Sequence, residues 1–116
     1  MHEMSIAMNI IEIASAAARE ERAKAIGSIE LEIGTMAGVM IESLEFCFEA
    51  AAKGTLAEGA VLAITSIPAE GRCAACNKIA AVDSLAAQCP YCGEYLLSLS
   101  TGKDLKIKAI TIDEER

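Results

Sequence analysis

Four of the five cysteines fall in two CxxC pairs, Cys73-Ala-Ala-Cys76 and Cys89-Pro-Tyr-Cys92-Gly93, with twelve residues between the pairs. This spacing can bring four thiolates to one tetrahedral Zn²⁺, each pair forming a tight knuckle whose backbone N–H groups point at sulfur. Gly93 suits the positive φ that such a knuckle requires. With four protein ligands there is no open position for water or substrate, so the metal is expected to be structural. Its binding energy, on the order of 10 kcal/mol, would go into folding the segment around it. The rival reading is a redox dithiol, but a reactive CxxC sits at a helix N-terminus that lowers one thiol pKa. Neither pair here opens an amphipathic helix. The fifth cysteine, Cys47, lies between Phe46 and Phe48 and reads as a small buried apolar residue.

The other chemistry sits at the beginning of the chain. His2, the only histidine, stands between Met1 and Glu3. If Met1 is retained, its α-amine, the His2 amide nitrogen and the His2 Nδ1 close five- and six-membered chelate rings on one metal. Nitrogen donation of this tetragonal or square-planar kind suits Ni²⁺ or Cu²⁺ better than Zn²⁺. The competing reading of the same residues is a solvated tail.

Catalysis is unsupported, because a single terminal histidine leaves no nucleophile–base pair. Gly54-Thr-Leu-Ala-Glu-Gly59 has the glycine spacing of a phosphate loop but continues Ala60-Val61 and follows a helix, so it reads as a turn. Glu42, Glu45 and Glu49 form a row on one helix face and read as solvated. The net charge of −7 repels a phosphate backbone on average, and the cysteine-rich segment has no basic patch: Arg72 and Lys78 only cancel Asp83 and Glu94. Nucleic acid is therefore not an expected partner. No apolar run approaches the roughly 18 residues of a membrane span, and Glu3 and Glu12 interrupt anything like a secretory signal. A cytoplasmic protein with reduced thiols is expected.

The elements that must position these residues are legible from periodicity. Hydrophobic residues make up 53% of the 116, so a core can form, but only four residues are aromatic and 22 are alanine. Aliphatic side chains and close backbone approach must fill it. From Met4 to about Arg22, Ile6, Ile10, Ile13 and Ala17 form one row and Ala7, Ile11, Ala14 and Ala18 the next, a helix that Gly27 is expected to stop. Ser28–Gly34 alternates strictly, with Ile29, Leu31 and Ile33 opposite Glu30 and Glu32, as in a strand with one wet face. A second helix follows, burying Ile41, Leu44, Phe48, Ala51 and Ala52 and capped by Gly54. Ala60–Ile67 and Leu105–Ile112 read as strands, the latter with a slip in alternation at Ala109–Ile110 that suggests a bulge or an edge. The expected architecture is α+β: a three-stranded sheet with two helices on one face, formed by residues 1–68 and 102–116. Residues 69–101 form a small inserted zinc ribbon, too short to bury enough area without a metal.

The segments MHEMS, LEIGTMAGV, FCFEAAAKGTLAEGA and the CxxC…CPYCG ribbon, in this order through nearly the whole chain, resemble the HypA/HybF family of hydrogenase-maturation nickel metallochaperones. The resemblance implies a nickel site at Met1, His2 and Glu3, a structural zinc site at Cys73, Cys76, Cys89 and Cys92, and delivery of Ni²⁺ to [NiFe] hydrogenase. It further implies a HypB-type GTPase and the hydrogenase large-subunit precursor as partners. Some family members carry an acidic residue near the turn before the second helix, where this chain has Met40 and then Glu42; Asn77 stands where glycine is often found after the first CxxC. The alternative function is a zinc-ribbon protein-interaction adaptor without nickel transfer.

Overall fold

A computed structural model describes residues 3–84, 87–95 and 97–113. The elements, in order, are α1 (Glu3–Glu20), β1 (Ala25–Gly34), α2 (Ile41–Ala52), β2 (Val61–Ile67), β3 (Glu70–Cys73), β4 (Ile79–Ala81), β5 (Leu97–Thr101) and β6 (Leu105–Asp113). One three-stranded sheet has the order β2-β1-β6 and a second the order β4-β3-β5. This is the expected α+β class, and β6 returns to the first sheet beside β1. The cysteine-rich segment adds a sheet of its own, which the sequence pattern did not announce. The chain divides into two compact units, Met1–Leu31 with Val39–Ile64 and Ile107–Arg116, and Glu32–Gly38 with Thr65–Lys106. Among the described residues, no helix is long and apolar enough to cross a membrane.

In the first unit, α1 packs against α2. It buries Ala7, Ile10, Ile11, Ala14, Ser15 and Ala18. The second of the two apolar rows is therefore core-facing throughout, whereas the first is fully buried only at Ile10 and its Ile13 is 58% exposed. Gly27 does not stop the helix. Arg22 does, in the left-handed region at φ 58, with Ala23 N–H donating to Ala18 C=O and Arg22 N–H to Arg19 C=O at 3.0 Å each. These two bonds make a Schellman cap, with arginine where glycine is usual. Gly27 lies inside β1, which begins three residues before the alternating stretch. Ile26 and Ile29 are both buried, so the period-2 pattern slips between them and the strand's first turn of sequence escapes a strict alternation test. Beyond the slip, Ile29 and Leu31 are buried with exposed Glu30 between them, and one face of the strand stays wet as expected.

The helix α2 buries Leu44, Phe48 and Ala52 and exposes Glu42, Glu45 and Glu49, while Cys47 is only half-buried. The edge strand β6 shows its slip in alternation as two successive exposed residues, Lys108 and Ala109.

In the second unit, β3 pairs antiparallel with both neighbours, Gly71 facing Ala80 and Leu99. Between the Glu70–Thr101 and Gly71–Leu99 pairs, Ser100 is an extra residue, a bulge whose hydroxyl donates to Glu70 C=O at 3.2 Å. Gly34 and Gly102 meet backbone to backbone. A Cβ on Gly34 would lie 2.0 Å from the Gly102 carbonyl oxygen, and Gly102 itself has φ 78. The approach is clasped by Gly34 N–H donating to Asp104 C=O and Met36 N–H to Gly102 C=O, both at 2.9 Å. Among the described residues of this unit, the largest fully buried side chains apart from Ile33 are Cys73 and Cys89.

Candidate metal centre

The two CxxC pairs converge. The sulfurs of Cys73, Cys76, Cys89 and Cys92 all lie within 4.8 Å of one another. Cys73 Sγ is 3.6 Å from Cys92 Sγ, and Cys76 Sγ is 3.7 Å from Cys89 Sγ. Four sulfurs at about 2.3 Å from a tetrahedral ion would stand roughly 3.8 Å apart, close to these two separations, so the cluster has the size that Zn²⁺ needs.

Each pair is held by the same loop. In the first, Asn77 N–H donates to Cys73 C=O at 2.7 Å and Cys73 N–H to Lys78 C=O at 2.9 Å. In the second, Gly93 N–H donates to Cys89 C=O at 2.9 Å and Cys89 N–H to Glu94 C=O at 2.8 Å. The fourth residue after each leading cysteine takes a left-handed conformation, φ 84 at Gly93 and φ 64 at Asn77. Asparagine is one of the few side-chain-bearing residues that visits this region readily. Substitution of the expected glycine by Asn77 thus preserves the loop, and its Oδ1 also accepts from Arg72 Nη1 at 3.3 Å. Lys78, next in sequence, sets its Nζ 4.9 Å from the centre of the Tyr91 ring, joining the two loops by a cation–π contact.

The electrostatics of the cluster favour a cation. Burial works against the Cys89 thiolate, but N–H groups of Cys92 and Tyr91 and the neighbouring thiols outweigh it, bringing this thiol from 9.0 to about 7. At Cys92 the Glu94 N–H favours the thiolate, yet burial and the sulfurs of Cys73, Cys89 and Cys76 push it up to about 12. One proton leaves easily and the last hardly at all. Four thiolates so close together need a positive ion among them. No helix follows either pair among the described residues, so neither has the arrangement of a reactive dithiol.

Of the three residues expected to hold nickel, Met1 and His2 lie outside the described residues. Glu3 opens α1, and its Oε2 accepts the Met40 N–H at 3.1 Å. Met40 is the N-cap of α2 and has no side-chain capping bond. This link between residues 37 apart in sequence was not foreseeable from spacing. Its signal, a helix start with no Ser, Thr, Asp or Asn at the cap, is visible only once the helix boundary is known.

The sequence profile of the family described as "Hydrogenase/urease nickel incorporation, metallochaperone, hypA" matches residues 1–112. The chain belongs to the HypA family. It is 47% identical over 113 residues to the hydrogenase maturation factor HypA of Prosthecochloris aestuarii, covering 97% of this chain and 100% of that protein. The same identity and coverage hold for HypA of Chlorobaculum tepidum. In fold the chain is similar to the solution structure of the Ni metallochaperone HypA from Helicobacter pylori, with a TM-score of 0.71 at 20% identity, covering 99% of this chain and 100% of that one. A second solution structure of HypA gives a TM-score of 0.73 at 20% identity, covering 99% of this chain and 98% of that one. The HypA family is one of nickel-handling maturation factors rather than of catalysts.

Proposed function

We propose that this protein is a nickel metallochaperone that binds Ni²⁺ at Met1, His2 and Glu3 and delivers it for the maturation of [NiFe] hydrogenase. The observation that carries this reading is the family match from the first residue to residue 112, which takes in both Met1-His2-Glu3 and the four cysteines. The Met1 amine, the His2 amide nitrogen and the His2 Nδ1 supply three corners of a square-planar donor set suited to Ni²⁺, with Glu3 assisting or orienting. Zinc is the structural ion of Cys73, Cys76, Cys89 and Cys92, on the strength of their tetrahedral spacing. It holds residues 69–101, a ribbon inserted into the nickel-binding α+β domain of residues 1–68 and 102–116. The protein acts in the cytoplasm. A HypB-type GTPase and the hydrogenase large-subunit precursor are its partners, and GTP dependence comes from the former because the glycine-spaced turn at Gly54–Gly59 is no phosphate loop.

Complementation tests the reading. In a bacterium lacking its own HypA, this chain restores hydrogenase activity, and His2→Ala, folded and zinc-loaded, does not. Full restoration by His2→Ala would instead favour an adaptor that joins maturation proteins without carrying nickel.

A further inference from the structure

We propose that Glu3 is a positioning residue, whose carboxylate fastens the start of α1 to the start of α2 and thereby holds the chain end in the conformation that binds nickel. The inference rests on the nickel site proposed above. Three observations carry it. First, Met40, at φ −87 and ψ 109, caps α2 without a side-chain bond of its own. Secondly, Glu3 Oε2 accepts the Met40 N–H at 3.1 Å. In a capping box that N–H is taken by a Glu or Gln three residues into the same helix; here the third residue is Ser43, and Glu3 serves from another helix. Thirdly, Glu3 is also the acidic residue of α1's own first turn. One carboxylate thus sits at the positive ends of two helices that pack together.

The consequence for nickel follows from chain-end physics. A terminus frays unless something ties it down, and a site built from terminal nitrogens must pay that ordering entropy on binding. The Met1 amine, the His2 amide and the His2 Nδ1 take three adjacent corners of a square plane, and the ring sizes leave no corner beside the His2 amide for the Glu3 amide. Residue 3 therefore acts through its side chain: with Oε2 held by the Met40 N–H, that side chain limits where the nitrogens just before it go.

The test is calorimetric titration of the zinc-loaded full chain with Ni²⁺, using wild type, Glu3→Gln, Glu3→Ala, Met40→Pro and the double variant Glu3→Ala/Met40→Pro. Gln keeps an acceptor oxygen, so Glu3→Gln weakens nickel binding no more than about threefold. Glu3→Ala and Met40→Pro, which remove the two ends of one charge-assisted bond, each weaken it about tenfold, and the double variant is no worse than either. If Glu3→Gln loses as much as Glu3→Ala while Met40→Pro binds normally, the carboxylate is a ligand and the proposal is wrong. Hydrogen exchange at the Met40 amide gives a second readout independent of metal and of whether the proline variant folds. Its protection falls in Glu3→Ala and persists in Glu3→Gln; unchanged exchange in Glu3→Ala overturns the tether. His2→Ala in the same titrations separates the two levels, since normal binding there overturns the nickel reading, and with it any effect of Glu3 on nickel, while amide exchange still decides the tether.

Discussion

Replacing Gly34 with alanine adds one methyl group where the structure leaves no space for it. The new Cβ would stand 2.0 Å from the Gly102 carbonyl oxygen and 2.1 Å from its carbon, about 1.4 Å short of an ordinary contact. Both obstructing atoms are main chain, so no rotamer change relieves the overlap. Gly102 is also hemmed in, for its own missing Cβ would fall 2.3 Å from the Ala69 Cα. Overpacking of this kind costs about 1–3 kcal/mol. Separating the two segments also stretches the bond from Met36 N–H to Gly102 C=O, adding about 1 kcal/mol. The expected loss is thus about 3 kcal/mol, read as a lower urea midpoint for the zinc-loaded protein followed by circular dichroism. Gly27→Ala is the control. It lies in the same strand, has an ordinary backbone conformation, and its Cβ would meet only Thr111 O at 3.6 Å. That variant is expected to be neutral or stabilised by up to about 1 kcal/mol. Equal effects of the two substitutions would refute the close-approach argument.

Cys73→Ser and Cys92→Ser each lower zinc content and loosen residues 69–101 by hydrogen exchange while α1 and α2 keep their protection; loss of helical structure as well would contradict a zinc-held insertion. Asn77→Gly keeps full zinc content because glycine accepts φ 64 at no steric cost, whereas Asn77→Val lowers zinc affinity, as metal analysis after dialysis would show.

The metal cluster and most elements were legible because each rests on a local pattern. Two CxxC pairs need only their spacing, and Ile29, Leu31 and Ile33 need only their alternation with glutamates. The features that sequence concealed are those set by partners distant along the chain. Glu3 reads as a nickel residue by position, but its side chain is engaged by a main-chain N–H at residue 40. Gly102 reads as the end of a segment, while its tight constraint comes from Gly34 and Ala69. Glycine is the usual stop signal for a helix, so Gly27 read as the stop although the helical pattern ends at about Arg22; Arg22 itself performs that task because two capping bonds offset the strain of a left-handed arginine. Ile13 fits the apolar rows of α1 and is nonetheless exposed, since an alanine-rich helix has more apolar positions than its partners can cover. The small sheet of β3, β4 and β5 has strands of three to five residues, shorter than periodicity can register.

The central claim, that nickel is held by the first three residues, is tested most directly by calorimetric nickel titration of three zinc-loaded proteins. These are the chain with Met1 first, the same chain with one residue added before Met1, and His2→Ala, all free of histidine tags. The account predicts tight binding of one Ni²⁺ by the first, weakening as the imidazole protonates below its reference pKa of about 6.5, and loss of that binding in both variants with zinc content unchanged. Nickel bound as tightly by His2→Ala and by the extended chain as by the unaltered one would contradict it.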